Sequence, residues 1–133
     1  MDRKILVVED ERLFAQLLRD ALMVLPGIHV DVAANGDEGL KALDSAEYDL
    51  IFTDIHMPEM DGEDFLKAVR SQNETIGIFV LTAHVQENYV RQFNVLGIED
   101  YLDKSNCDLG ELRKMVKEYF RRKDIELMSE SIL

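Results

Sequence analysis

Acidic, hydroxyl and ammonium side chains follow four of the short apolar runs in this sequence. The polar residues that end these runs are Glu9, Asp10 and Glu11, then Asp54, Thr82 and Lys104. If the runs are parallel strands of one sheet, their carboxyl ends share one edge, and the carboxylates of Glu9, Asp10 and Asp54 come close together. Such carboxylates repel one another by roughly a few kcal/mol per pair at an effective dielectric constant of about 20. A bound cation is therefore expected.

The expected cation is Mg²⁺, or Mn²⁺ in its place. Hard carboxylate oxygens that are too few to form a complete cage suit Mg²⁺, which keeps several water ligands and accepts one or two carboxylates together with a phosphoryl oxygen. With Asp54 as a nucleophile, the Thr82 hydroxyl and the Lys104 ammonium, this set matches the requirements of phosphoryl transfer. That reaction depends mostly on positioning and on neutralising charge.

Each of these residues also has an ordinary structural explanation when it is considered alone. Asp10 and Thr82 could cap helices, Lys104 could be a surface lysine, and Asp54 could be an exposed loop acid. Their joint occurrence at four strand ends of one predicted sheet favours a chemical site.

The remaining sequence predicts alternating strands and helices. Apolar β-branched runs predict strands at residues 5–8, 28–32, 50–53, 78–81 and 101–102. Helical periodicity predicts helices over residues 12–25, after 35–36, after 61–62, around 90–96 and over 109–122. Short connections between five strands and five helices require crossovers, which predicts an α/β fold with a mostly parallel sheet and helices on both faces. Residues 124–133 either extend the last helix or form a flexible tail.

Four stretches of the chain resemble a known family. They are Ile5-Leu6-Val7-Val8-Glu9-Asp10-Glu11, the segment from Asp49 to Gly62 with its Asp-x-x-Met-Pro-x-Met-Asp-Gly form, Val80-Leu81-Thr82-Ala83, and Asp100-Tyr101-Leu102-Asp103-Lys104. In these stretches the chain resembles the response-regulator receiver domains of bacterial two-component signalling, such as chemotaxis regulators, over residues 4 to about 122. The resemblance implies a flavodoxin-like, doubly wound, five-stranded parallel sheet in the order 2-1-3-4-5. It also implies a receiver domain at residues 1–122, followed by a helix extension or linker tail at 123–133.

The resemblance further implies a role for each matched residue. The expected metal ligands are Glu9, Asp10, Asp54 and the backbone carbonyl of His56. Asp54 is the expected phosphoacceptor for a sensor histidine kinase or a phosphotransfer protein, with Thr82 and Lys104 binding phosphoryl oxygens. Thr82 and Tyr101 would form a switch that alters the face made by the fourth helix, fifth strand and fifth helix. The chain would then be a phosphorelay signalling domain whose only reactions are its own phosphorylation and dephosphorylation.

Two features depart from or add to the family pattern. Ser105 follows Lys104, where the family usually has proline, commonly with a cis bond. Because a non-proline cis bond costs about 3 kcal/mol, the Lys104–Ser105 bond is predicted to be trans and the following loop rearranged. His56 and His84 flank the expected site at positions that tune water access in the family. They either make the lifetime of the phosphoryl group depend on pH near neutrality or are exposed loop residues without a role.

Length and composition limit the other possibilities. The 133 residues suffice for one domain, and no apolar run approaches the roughly 20 residues that span a bilayer. The net charge of −12 argues against direct nucleic-acid binding. The single cysteine, Cys107, and the absence of a secretory signal suggest a cytoplasmic protein. The basic stretch at residues 113–123 either complements the helix dipole or is a docking surface, for example for Asp100 and Asp103 of a second copy.

Three alternative functions were weighed against this interpretation. A nucleotide binder would need a Ser/Thr/Gly-rich loop after the first strand, where Glu9, Asp10 and Glu11 would repel a phosphate. An aspartyl phosphatase would need an acid two residues after its nucleophile, where His56 stands instead. A receiver-like binding module without turnover stays open. The sequence also leaves open whether the output is a separate target protein or an output domain outside this chain.

Overall fold

Each predicted apolar run forms a strand of one sheet. The computed structural model describes residues 2–57, 60–83 and 87–132. The strands are β1 (Arg3–Val8), β2 (Ile28–Ala33), β3 (Leu50–Asp54), β4 (Gly77–Thr82) and β5 (Asp100–Asp103). All neighbouring pairs are parallel, and the order across the sheet is β2-β1-β3-β4-β5. The predicted α/β class, with its doubly wound, flavodoxin-like strand order, is confirmed.

Five α-helices alternate with the strands in the described part of the chain. They are α1 (Arg12–Met23), α2 (Gly36–Ser45), α3 (Gly62–Gln72), α4 (Glu87–Phe93) and α5 (Leu109–Ile132). Two short 3₁₀ turns lie at Asn94–Leu96, directly after α4, and at Lys104–Asn106, directly after β5. None of the helices described is long and apolar enough to cross a bilayer.

The sheet separates two hydrophobic cores, because successive strand residues face opposite sides. Ile5 and Val7 belong to one core, and Leu6 and Val8 belong to the other. The first core is shared with α1 and α5 through residues that include Leu18, Leu22, Leu112 and Val116. The second is shared with α3 and α4 through Phe65, Leu66, Val69 and Phe93. Helices on both faces thus hold the strand ends in a fixed relation to one another.

The last helix is longer than the sequence pattern predicts. The apolar stripe indicates a helix over residues 109–122, whereas α5 continues to Ile132. No glycine or proline follows Gly110, so the sequence contains no strong helix terminator in this region. The extension exposes Ile125, Leu127 and Met128. Of the two alternatives for the C-terminal residues, the structure has the helix extension up to Ile132.

The peptide bond after Lys104, at the end of β5, has the predicted trans geometry. The Lys104–Ser105 bond is trans, and the described residues contain no cis peptide bond. Asp103 Oδ1 accepts hydrogen bonds from the backbone N–H of Ser105 at 2.9 Å and from its hydroxyl at 2.7 Å. These two bonds begin the 3₁₀ turn and fix the backbone of Lys104 at the edge of the sheet.

Candidate functional site

Three carboxylates lie together where β1 and β3 end. The two strands are neighbours, with Val8 opposite Thr53, so the residues that follow them emerge side by side. One carboxylate oxygen from each of Glu9, Asp10 and Asp54 lies within 4.8 Å of the others. Glu9 and Asp54 are buried, whereas Asp10 is exposed. Two buried carboxylates beside a third carboxylate require compensating positive charge.

Lys104 supplies part of that charge from the turn directly after β5, and β5 lies two strands away from β3. Its Nζ lies 2.8 Å from Glu9 Oε1, 3.0 Å from Glu11 Oε1 and 3.2 Å from Asp54 Oδ2. The ammonium also lies 5.0 Å from the centre of the Phe14 ring, in a cation–π contact. Burial alone would lower the pKa of Lys104, but the bonds to Glu9 and Glu11 and the charge of Asp54 raise it above the ordinary lysine value. The lysine is therefore a permanent cation at neutral pH.

Glu9 retains an unused acceptor that suits a metal ion. Its Oε2 atom is buried and accepts no hydrogen bond from the described residues. Burial raises the pKa of Glu9 to about 7, against the opposing effect of its bond from Lys104. A second cation beside Oε2 would favour the ionised form and replace the missing partner. Glu9, exposed Asp10 and Asp54 form an oxygen-only, incomplete ligand set, which fits a hydrated Mg²⁺ better than a closed metal cage.

Asp54 is held in place by the backbone of its own loop. The N–H of His56 donates to Asp54 Oδ1 at 2.9 Å, while Oδ2 faces Lys104. The loop is tightened by Gly62, whose N–H donates to the Ile55 carbonyl at 3.2 Å. A Cβ atom on Gly62 would lie 2.6 Å from that carbonyl oxygen, so close packing requires a glycine at this position of the motif.

The other predicted site residues are placed as follows. Thr82 is buried at the carboxyl end of β4, directly after Leu81, which is paired with Asp54. The imidazole of His56 is exposed. His84 lies outside the described residues. The structure therefore brings Glu9, Asp10, Asp54 and Lys104 into one cluster, with Thr82 on the adjacent strand.

Tyr101 connects β5 to the segment after α4. Its hydroxyl donates to Asn94 Oδ1 at 3.0 Å and lies 3.4 Å from the carbonyl oxygen of Val90. The ring is half-buried against the core that contains Phe93, and burial raises the pKa of the phenol. The tyrosine therefore joins a strand beside the acidic cluster to the helix that follows β4.

Two residues of the site have no role assigned by the sequence analysis. Glu11 ends the first apolar run, but nothing in its position indicates the ion pair with Lys104. The helical periodicity of residues 12–25 places Phe14 in the core, whereas the ring also covers the Lys104 ammonium. The signal that could have revealed Phe14 is its place in the first turn of α1, close in sequence to Asp10.

Comparisons with known proteins agree with this geometry. A family model described as the response regulator receiver domain matches residues 5–117. The Regulator of RpoS of Escherichia coli (strain K12) is 35% identical over 114 residues, which cover 86% of this chain and 34% of that protein. The chain spans between 34% and 54% of the length of curated relatives that it matches.

Solved structures show the same architecture. The chemotaxis response regulator CheY4 of Vibrio cholerae has a TM-score of 0.80 and 30% sequence identity, with 89% of this chain and 98% of that chain covered. The response regulator TrrA from Thermotoga maritima, solved in complex with Mg²⁺ and BeF, has a TM-score of 0.75 and 33% identity. That match covers 87% of this chain and 97% of the TrrA chain.

Proposed function

The chain belongs to the response regulator receiver domain family, and on that premise we propose that Asp54 accepts a phosphoryl group in a phosphorelay. The observation that supports this most directly is the position of Lys104, whose Nζ lies 3.2 Å from Asp54 Oδ2 although 50 positions separate the two residues. The unpartnered Glu9 Oε2 and the carboxylate of Asp10 belong to the same cluster. A nucleophile, a fixed cation and oxygens able to bind a metal are therefore adjacent.

The proposed transfer takes the phosphoryl group from a phosphohistidine of a sensor histidine kinase or phosphotransfer protein. A carboxylate oxygen of Asp54 attacks the phosphorus, the new O–P bond forms as the N–P bond breaks, and the histidine nitrogen keeps the electron pair. Lys104 neutralises one phosphoryl oxygen, and the Thr82 hydroxyl donates to another. Hydrolysis by water later restores the Asp54 carboxylate and releases inorganic phosphate.

A divalent cation is part of this proposal. The expected ligands are Glu9, Asp10, Asp54 and the carbonyl oxygen of His56. When bound, Mg²⁺ or Mn²⁺ supplies positive charge at the phosphoryl oxygens.

We also propose that the side chains of His56 and His84 control how readily water reaches the acyl phosphate. His56 supports this idea, because it is exposed and lies two residues after Asp54 in the chain.

The proposed output is a change in the face formed by α4, β5 and α5. Thr82 would move toward the phosphoryl group, and Tyr101 would turn inward in response. The hydrogen bond from Tyr101 to Asn94 supports this idea, because any movement of the ring must alter a direct link between β5 and the turn that ends α4. Phosphorylation would thus shift the population of two arrangements of this face.

The switched face would control either a separate target protein or an output domain. We propose residues 1–122 as the receiver and 123–133 as an extension or linker, because Phe120 is the last of the described side chains of α5 that lies in the hydrophobic core. The chain would act in the cytoplasm, without binding nucleic acid itself, as expected from its net charge of −12. A homodimer through α4, β5 and α5 is the proposed assembly.

Intact-mass measurement after incubation with acetyl phosphate and Mg²⁺ tests the function. We expect the wild type to gain one phosphoryl group, and we expect no gain for Asp54→Ala or in the presence of EDTA. Asp61→Ala is the matched control, since Asp61 is an exposed acid of the same loop whose side chain does not cap α3. It should be phosphorylated like the wild type. No gain in any sample would instead favour a binding module that does not turn over.

A further inference from the structure

The ammonium of Lys104 is surrounded by three carboxylates: it donates hydrogen bonds to Glu9 and Asp54 and forms an ion pair with Glu11. A lysine has three N–H bonds, and three carboxylate oxygens lie within 3.2 Å of Nζ, one each from Glu9, Glu11 and Asp54. If Lys104 is to bind a phosphoryl oxygen on Asp54, one of these contacts has to be given up. The structure indicates which one.

Glu11 differs from the other two acids in its exposure. Its side chain is 65% exposed, whereas those of Glu9 and Asp54 are 0% and 6% exposed. Water can solvate the Glu11 carboxylate as soon as the ion pair breaks, but it cannot reach the buried carboxylates in the same way. Glu11 is therefore the partner that Lys104 can release at the smallest cost.

Apart from the ion pair with Lys104, the side chain of Glu11 forms no hydrogen bond or ion pair with another described residue. Glu11 is the N-cap residue of α1, but its side chain makes no capping hydrogen bond. Its backbone N–H donates to Glu9 Oε1 at 3.0 Å, and that bond is independent of the side chain. Substitution of Glu11 should thus remove the ion pair with Lys104 and leave the acidic cluster in place.

We propose that Glu11 competes with the phosphoryl group for Lys104 and thereby slows phosphorylation of Asp54. In the resting protein the Glu11 carboxylate forms an ion pair with the ammonium at 3.0 Å. On phosphorylation Lys104 leaves Glu11 and binds a phosphoryl oxygen, while the Phe14 ring 5.0 Å away keeps the ammonium near the cluster. This inference rests on the proposed function of Asp54.

The test compares the rate of phosphorylation by acetyl phosphate and Mg²⁺ in Glu11→Gln, Glu11→Ala and the wild type. An ion pair that is exposed on one side corresponds to at most about a fivefold change in an equilibrium constant, so we expect a rise in rate of about two- to fivefold, larger for alanine. Glu38→Gln is the matched control, because it removes the same charge from an exposed acid that lines the groove beside Asp10. Its amide can still accept the N–H of Ala34, and its rate should equal that of the wild type.

A double-mutant cycle separates competition for the lysine from a general effect of charge. In a Lys104→Ala background, Glu11→Ala should no longer change the rate, because no ammonium remains to be released. The proposal is overturned if Glu11→Ala raises the phosphorylation rate equally with and without Lys104. It is also overturned if Glu11→Ala alone leaves the rate of the wild type unchanged or lowers it.

A second readout does not depend on phosphorylation. In the metal-free protein, NMR of the Lys104 ammonium group should show faster exchange of its protons with water in Glu11→Ala than in the wild type or Glu38→Gln. Unchanged exchange would show that Glu11 does not hold the ammonium in solution and would overturn the inference. Failure of the wild type to accept a phosphoryl group would instead contradict the proposed function, and the exchange measurement keeps these two failures distinguishable.

Discussion

At the scale of single residues, β4 and α5 lie so close together at Gly77 that no side chain fits there. This glycine is the first residue of β4 and lies against Tyr119 of α5. A Cβ atom on Gly77 would lie 2.8 Å from Tyr119 Cε1 and closer still to Cζ and the hydroxyl oxygen. Tyr119 is only 2% exposed, so the ring has little space into which it could move.

Replacing Gly77 with alanine should therefore lower the free energy of unfolding by about 1–3 kcal/mol, the usual cost of overpacking a core. Urea unfolding followed by circular dichroism measures this change. Adding Tyr119→Phe should not restore stability, because ring carbons obstruct the new methyl group as well as the hydroxyl does. Gly110→Ala is the control, since its Cβ would approach only Asp108 Oδ1, at 3.2 Å. Wild-type stability in Gly77→Ala would contradict this account.

The acidic cluster shows which single residues can be located from the sequence. Asp54, Thr82 and Lys104 end predicted strands, so their backbone positions follow from the strand order alone. The partners of the Lys104 side chain do not follow, because a flexible lysine can extend in several directions from the end of β5. Its contacts with Glu11 and Phe14 depend on how the first turn of α1 packs over that edge, which the apolar pattern does not specify.

At the scale of helices and strands, Arg70 of α3 joins three segments at the edge of the sheet where β4 begins. Its guanidinium donates to the carbonyl oxygens of Leu96 at 2.5 Å, Ile76 at 2.7 Å and Gly97 at 2.9 Å. A longer bond of 3.3 Å reaches the carbonyl of Asn73. Burial lowers the pKa of Arg70 from its ordinary value. The arginine thus fixes the end of the 3₁₀ turn after α4 against the turn that leads into β4.

Arg70→Ala should lower the free energy of unfolding by about 2 kcal/mol, because several carbonyl groups, two of them in part-buried bonds, lose a charged donor together. Hydrogen exchange should also speed up at the amides of Gly97 and Glu99, whose bonds to the carbonyls of Asn94 and Ile78 hold the same segment of the chain. Arg70→Lys should recover only part of the stability, because one ammonium cannot reproduce the planar set of donors. Lys67→Ala, in the same helix, removes only an exposed pair with Glu63 and should change stability by less than about 0.5 kcal/mol. If Arg70→Ala is as stable as Lys67→Ala, the guanidinium does not join these segments.

The order of the strands and helices along the chain, and the type of each, are the features that the sequence predicts best. The short apolar run of β1 and the helical period of α1 are local properties, so both elements and their order in the chain are predicted correctly. The length of α5 does not follow from its apolar stripe, because that stripe ends near residue 120 while helix-forming residues continue to Ile132. The contacts of Arg70 are not predictable from any pattern, since their acceptors are backbone carbonyls in turns that only the folded chain brings together.

At the scale of the whole molecule, the fold disfavours ionisation of three tyrosines. Burial raises the pKa of Tyr101. Burial and a 2.6 Å hydrogen bond to Asp31 raise the pKa of Tyr48. Burial, with a smaller contribution from the charge of Glu99, raises the pKa of Tyr119 to about 12. In an unfolded chain a tyrosine has a pKa of about 10, so the folded state retains protons that the unfolded state loses at alkaline pH.

The sign of this difference predicts alkaline destabilisation. Below pH of about 10 both states keep the Tyr119 proton, and its contribution to stability is fully present. Between about pH 10 and pH 12 only the unfolded state releases the proton, so the free energy of unfolding falls, by on the order of 2 kcal/mol for this residue. Urea unfolding at about pH 9 and pH 11 should show a smaller loss of stability in Tyr119→Phe than in the wild type. Phe120→Leu, which alters the same core without removing a titrating group, should show the wild-type loss. An equal loss in Tyr119→Phe would mean that the buried phenol does not link folding to pH, and that other groups account for any alkaline unfolding.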